Sequence, residues 1–147
     1  MFDTIIRGGT VLDGTGRPGF TADVGITAGK IAAVGALSAA PASRVIDASG
    51  RVVTPGFIDI HRHADAAAFR PGYGELELRQ GLTTIVNGNC GLSAASFGGA
   101  HDAAIRAYLR PITGDIPETL PAVSMAAYLA ALRALPLHTE MLVGMGT

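Results

Sequence analysis

Two apolar runs, Val52-Val53 with Pro55-Gly56-Phe57-Ile58 and then Thr83-Thr84-Ile85-Val86, are separated by a segment of helical character. Each leads straight into metal-binding side chain types, the first into His61-Arg62-His63 and the second into Cys90. Strand, helix, strand in that order is a β-α-β unit, in which functional groups collect at the carboxyl ends of parallel strands. In an extended strand alternate side chains share a face, so Phe57, Asp59, His61 and His63 are expected together, with Ile58, Ile60 and Arg62 opposite. The two imidazoles then converge, and a thiolate 27 residues after His63 could complete a zinc-type site. Taken singly, a His-x-His pair is commonly incidental and a lone cysteine commonly a small buried hydrophobe. Their placement at consecutive strand ends is what joins them.

The chain before this unit is different in kind. Short strands are expected over residues 4–7, 10–12, 22–27, 30–34, 44–46 and 51–53. The breaks between them hold Gly8-Gly9, Asp13-Gly14-Thr15-Gly16, Arg17-Pro18-Gly19, Ala28-Gly29 and Ser49-Gly50, which are turn chemistries. This pattern predicts a small antiparallel β-sandwich over residues 1–54. Asp13-Gly14-Thr15-Gly16 reads as a turn and not as a phosphate cradle, since no helix follows to offer its amino terminus.

From residue 55 to residue 147 strands and helices alternate. A short helix is expected over 74–80, closed by Gly81. Another begins near Ala100, where Ile105, Tyr108 and Leu109 have i, i+3, i+4 spacing; Pro111, Pro117 and Pro121 should keep the long connection from being one regular element. Ser124 is a good N-cap for a helix whose Met125, Tyr128, Leu129, Leu132 and Leu135 form an apolar stripe, read as core. Met141-Leu142-Val143 is a third strand. Three β/α units cannot close an eight-stranded barrel of about 250 residues, so the barrel is expected to be incomplete in this chain.

Composition excludes several alternatives. With 48% apolar and 16% charged residues the chain is globular and not disordered. Eleven basic and twelve acidic side chains leave a formal charge of −1, so neither nucleic acid nor an anionic membrane surface is an expected partner. The segment Met1-Phe2-Asp3-Thr4-Ile5-Ile6-Arg7 lacks the basic then apolar order of a secretion signal, and the weakly polar stretch 31–42 is too interrupted to span a bilayer. A single cysteine forms no internal disulfide, which fits a cytoplasmic location and leaves Cys90 free for a metal.

The stretch 45–63, ending Pro55-Gly56-Phe57-Ile58-Asp59-Ile60-His61-Arg62-His63, resembles the opening of the metal-dependent amidohydrolase superfamily. The stretch Gly81-Leu82-Thr83-Thr84-Ile85-Val86-Asn87-Gly88-Asn89-Cys90-Gly91 is similar to the N-acyl-D-amino-acid deacylase (D-aminoacylase) branch. The resemblance implies an α/β fold, the start of a TIM-like (β/α)8 hydrolase barrel preceded by a sandwich. It implies zinc, as one or two divalent ions, with His61, His63 and Cys90 as ligands. Cys90 then takes the place of the carboxylated lysine of many relatives, and the one lysine, Lys30, lies outside the barrel segment. The implied reaction is hydrolysis of the amide of a small N-acyl-D-amino acid by metal-activated water.

Asp59 and Asp65 are candidates for supporting the ligands; for Asp59 a structural carboxylate bonded to backbone amides is an equal alternative. His101 and His138 are read as non-ligands. The later histidine ligands and the aspartate that acts as general acid and base are expected beyond Thr147, so the remainder of the enzyme, on the same or a separate chain, would be needed. Met145 stands where relatives often have a histidine. Two other functions stay open: a cyclic amidase of the dihydroorotase or hydantoinase kind, and a non-catalytic fragment or assembly module that needs a complementary chain.

Overall fold

A computed structural model describes residues 1–94, 99–115, 117, 124–135 and the backbone of 140–143. The chain divides into two compact units, Met1–Pro55 and Gly56–Thr147. His138, Met145 and Pro121 lie outside the described residues.

The first unit is built from β1 (Phe2–Val11), β2 (Phe20–Thr27), β3 (Lys30–Gly35), β4 (Ala42–Asp47) and β5 (Val52–Val53) in one sheet of order β3-β2-β1-β4, with β5 also on β1. Pairings β1 with β2 and β2 with β3 are antiparallel, as the turn chemistry predicts. The β2-β3 turn is the two-residue Ala28-Gly29, both with positive φ, as a primed hairpin turn requires. Two features differ from the expected antiparallel sandwich. First, β4 and β5 run parallel to β1, and the described strands of this unit form a single sheet. Second, Gly8-Gly9 does not turn the chain: β1 runs through it with a shift of register between Ile6 and Gly9.

The second difference has a local cause. Gly8, at φ +72°, bulges the strand, and its N–H is taken by the Asp23 carboxylate at 2.8 Å. The opposite edge of β1 is paired by β4 before this point and by β5 after it. Between those strands the chain turns at residues 48–51, with Arg51 N–H donating to the Ala48 carbonyl at 2.9 Å. Val11, Ala22 and Val24 form the core of this unit, joined by Ile6, Ile26 and Val53.

In the second unit β6 (Phe57–Asp59), β7 (Leu82–Asn87) and β8 (Glu140–Val143) form a parallel sheet of order β6-β7-β8. The connections carry α1 (Glu75–Arg79), α2 (Asp102–Thr113) and α3 (Met125–Arg133), the alternation that the periodicity predicts. Gly81 follows α1 at φ +80°, and Ser124 Oγ accepts the Ala127 N–H at 3.2 Å as the cap of α3. Pro111 does not end α2, which continues to Thr113. So near its end only one main-chain bond is forfeited, and Thr113 Oγ1 donates to the Leu109 carbonyl at 3.2 Å. Ala68, Ala94, Leu109, Tyr128 and Leu132 make the core under the helices, while Ile85 of β7 is fully buried. No helix among the described residues is long and apolar enough to cross a membrane.

Candidate metal centre

β6 ends at Asp59, so the alternation that was expected to reach His63 along an extended strand stops four residues short. The two histidines nevertheless come together. Their ring centroids are 5.5 Å apart, edge to face at 79°. Cys90 follows β7 in a single 3-10 turn, Asn89–Gly91, and its Sγ lies 3.3 Å from His61 Nε2. One ligand atom from each of His61, His63 and Cys90 falls within 4.8 Å of the others, the grouping of His, Cys and acidic donors found among the described residues.

The local sequence explains how Cys90 gets there. Gly88 and Gly91 take φ of +78° and +70°, and Cys90 itself sits at φ +59°, ψ +22°. A left-handed residue that is not glycine costs roughly 1–2 kcal/mol, and the cysteine adopts this conformation between two glycines that adopt it freely. The cysteine in this turn is exposed. Two imidazoles and a thiolate are the borderline and soft donors that zinc takes. The buried Nδ1 of His63 has no hydrogen-bond partner among the described residues, which fits a group whose partner is not protein.

The two aspartates divide in their surroundings. Asp59 Oδ1 accepts the His61 N–H at 3.1 Å and its Oδ2 lies 3.4 Å from Arg62 Nη1, so it is tied to backbone and to a cation. The other nitrogen of the same guanidinium, Nη2, donates to buried Glu77 on α1 at 2.7 Å. Asp65 is fully buried. Burial raises its carboxyl above the usual range, opposed chiefly by the bond from the Ala94 N–H at 3.2 Å. The Tyr128 hydroxyl donates to the Asp65 carbonyl at 3.0 Å, which fastens α3 to the loop after His63. His101 is exposed at the start of α2 and is not among the grouped donors.

Sequence reasoning missed Asn87 and Asn89. Asn87, fully buried, accepts the Ala64 N–H at 3.0 Å; Asn89 donates to the carbonyls of Val86 at 2.8 Å and Arg62 at 3.3 Å. The one signal was their position on either side of Gly88, immediately before the cysteine.

Comparison with known proteins bears on this arrangement. Residues 44–140 match the sequence profile described as Amidohydro_3, amidohydrolase family. An N-acyl-D-glutamate deacylase of Alcaligenes xylosoxydans xylosoxydans is 47% identical over 135 residues, covering 90% of this chain and 26% of the relative. An N-acyl-D-glutamate deacylase from Bordetella bronchiseptica, solved with zinc and a phosphonate inhibitor that mimics the tetrahedral intermediate, superposes with a TM-score of 0.79 at 38% identity. That match covers 99% of this chain and 29% of the solved one. A D-aminoacylase studied for its binuclear metal centre superposes with a TM-score of 0.83 at 42% identity, covering 99% and 30%. The chain thus spans less than a third of the length of each of these relatives.

Proposed function

Since the chain belongs to the amidohydrolase family, we propose that it carries part of the metal centre of a zinc-dependent hydrolase that cleaves the amide of N-acyl-D-amino acids. The observation that carries this reading is the convergence of His61, His63 and Cys90 within 4.8 Å at the ends of two adjacent parallel strands. A divalent ion held there would supply Lewis acidity toward water and the scissile carbonyl. Cys90 brings one negative charge as a thiolate, which partly neutralises the ion and lets it stay bound beside two neutral imidazoles. Asp59 fixes the backbone of His61, and Asp65 ties the chain after His63 to Ala94, beyond the Cys90 turn.

In this reading the histidine ligands from later strands and the aspartate general acid and base lie outside residues 1–147, on the rest of the enzyme. The likeness to N-acyl-D-glutamate deacylases and a D-aminoacylase supports a small N-acyl-D-amino acid as substrate. The cysteine donor favours it over a cyclic amidase that uses a lysine carbamate.

The test combines metal content with substrate choice in the whole enzyme. Plasma mass spectrometry should find zinc in the parent and a loss of zinc, together with hydrolysis of N-acetyl-D-amino acids, in His63→Ala and Cys90→Ala. Unchanged zinc in both variants would overturn the ligand assignment. Turnover of hydantoins in place of N-acyl-D-amino acids would overturn the substrate assignment.

A further inference from the structure

The strand ladder between β6 and β7 sets the spacing of the two loops but ends before it reaches the histidines or the cysteine. The last paired residues of β6 and β7 are Asp59 and Ile85, and His63 lies four residues beyond the first of these while Cys90 lies five beyond the second. Past that point a single main-chain bond, Arg62 N–H to the Val86 carbonyl at 3.1 Å, continues the pairing. The remaining links are side chain to backbone, and they bracket His63. Its preceding residue, Arg62, gives its carbonyl to Asn89 Nδ2 at 3.3 Å; its following residue, Ala64, gives its N–H to Asn87 Oδ1 at 3.0 Å. Asn89 also holds the Val86 carbonyl at 2.8 Å, so one amide group bridges both loops.

Resting on the metal site proposed above, we propose that Asn87 and Asn89 are positioning residues that clamp the His61-Arg62-His63 loop to the Cys90 turn and so set the ligand geometry for zinc. The two amides have opposite duties. Asn89 faces two carbonyls and must donate, which also fixes which of its terminal atoms is nitrogen; Asn87 faces an N–H and must accept. Asn89 is the residue directly before Cys90, so its two bonds anchor the strained left-handed cysteine on one side. The Ala94 N–H, held by the Asp65 carboxylate at 3.2 Å, ties the segment after the same turn to the chain just past His63. A zinc site tolerates displacements of about 0.2 Å in its ligand distances, far less than an unpaired loop wanders.

The donor and acceptor duties make the proposal testable by chemistry and not by truncation alone. Asn89→Asp keeps size and shape but replaces the donor with a carboxylate facing two carbonyls; Asn87→Asp keeps the acceptor for Ala64. The probes are zinc affinity, by competition with a chromophoric chelator, and the near-ultraviolet thiolate-to-cobalt charge-transfer band of the cobalt-loaded whole protein, with folding followed by circular dichroism. Asn89→Asp and Asn89→Ser should weaken zinc binding by roughly 10–100-fold and alter the cobalt band while the fold persists. Asn87→Asp should keep the band, and Asn87→Ala should not. Because Asn89 is partly exposed, Asn89→Ser serves as the comparison should the aspartate variant not fold. Parental affinity and an unaltered band in a folded Asn89 variant would overturn the clamp while leaving the metal site standing. A parent that binds neither zinc nor cobalt would overturn both.

Discussion

Gly56 opens the strand that leads to the histidines, and its missing side chain is required by Thr83 on the neighbouring strand. A Cβ added at Gly56 would overlap Thr83 Oγ1 and Cγ2 and lie 2.6 Å from Thr83 Cβ. Rotation of the threonine about χ1 relieves the first two overlaps but leaves its Cβ in place. Raising that 2.6 Å approach to an ordinary 3.4 Å contact therefore needs β6 and β7 to part by about 0.8 Å. Forced overpacking of this kind costs about 1–3 kcal/mol, reduced by the roughly 0.4–1 kcal/mol that a Gly to Ala change gains in the unfolded chain. Gly56→Ala should thus destabilise by about 1–2 kcal/mol, and a melting temperature shift of at least about 4 °C is expected for a domain of this size. The same displacement is several times the tolerance of a zinc site, so zinc affinity should fall more than tenfold. Thermal unfolding by circular dichroism and a zinc competition titration read the two effects. Thr83→Gly removes the obstructing Cβ, at a strand cost of about 0.5–1 kcal/mol, and should restore both properties in the double variant. Gly56→Ala with parental melting and parental zinc affinity, or a double variant whose effects simply add, would refute the steric argument.

Two other perturbations probe the frame. Tyr128→Phe removes the hydroxyl that donates to the buried Asp65 carbonyl; burial, with the Asp65 charge beside it, pushes this phenol above its ordinary range and keeps it a donor. An unsatisfied carbonyl there should cost about 1–3 kcal/mol, seen as a lower urea midpoint with an unchanged slope, and an unmoved midpoint would contradict it. Asp23 is held below the usual carboxylate range by the N–H groups of Gly8 and Leu37. Its folded pKa is depressed, so its stabilisation is fully present above the unfolded value near 3.8 and is lost as pH falls through the lower folded value. Asp23→Asn should therefore melt below the parent at pH 6, with the gap closing on acidification below about pH 4; a gap that stays constant down to pH 2 would show that the carboxylate charge is not what matters.

What could be read from the sequence follows from how local each determinant is. The helix from Ser124 was legible because a cap and a stripe of Met125, Tyr128, Leu129 and Leu132 lie within one segment, and Tyr128 and Leu132 are buried as that stripe predicts. The parallel β-α-β core was legible because a helix between two apolar runs leaves few other topologies. Pairing in the first unit was not: the bulge that carries β1 through Gly8 is held by Asp23, 15 residues away, and β4 and β5 reach the other edge of β1 only through contacts distant in sequence. The asparagine clamp was hidden for the same reason, since Asn87 meets Ala64 only when two loops 23 residues apart have already docked. The grouping of the three donors was anticipated by an argument only partly right, because the strand alternation it used ends at Asp59.

The choice between the two readings of the lone cysteine rests on exposure and backbone together. A small buried hydrophobe would lie in the core, yet Cys90 is exposed and makes its close contact with an imidazole. It also occupies a left-handed position at which glycine would relieve roughly 1–2 kcal/mol of strain, with glycines already on both sides of the turn. Packing gives no return for that strain at an exposed site. Ligation does: structural zinc is bound with apparent free energies of about 10–16 kcal/mol in small domains, against which the strain is minor. On the metal centre proposed above, the thiol is the feature of this residue that the turn and the two asparagines serve to place.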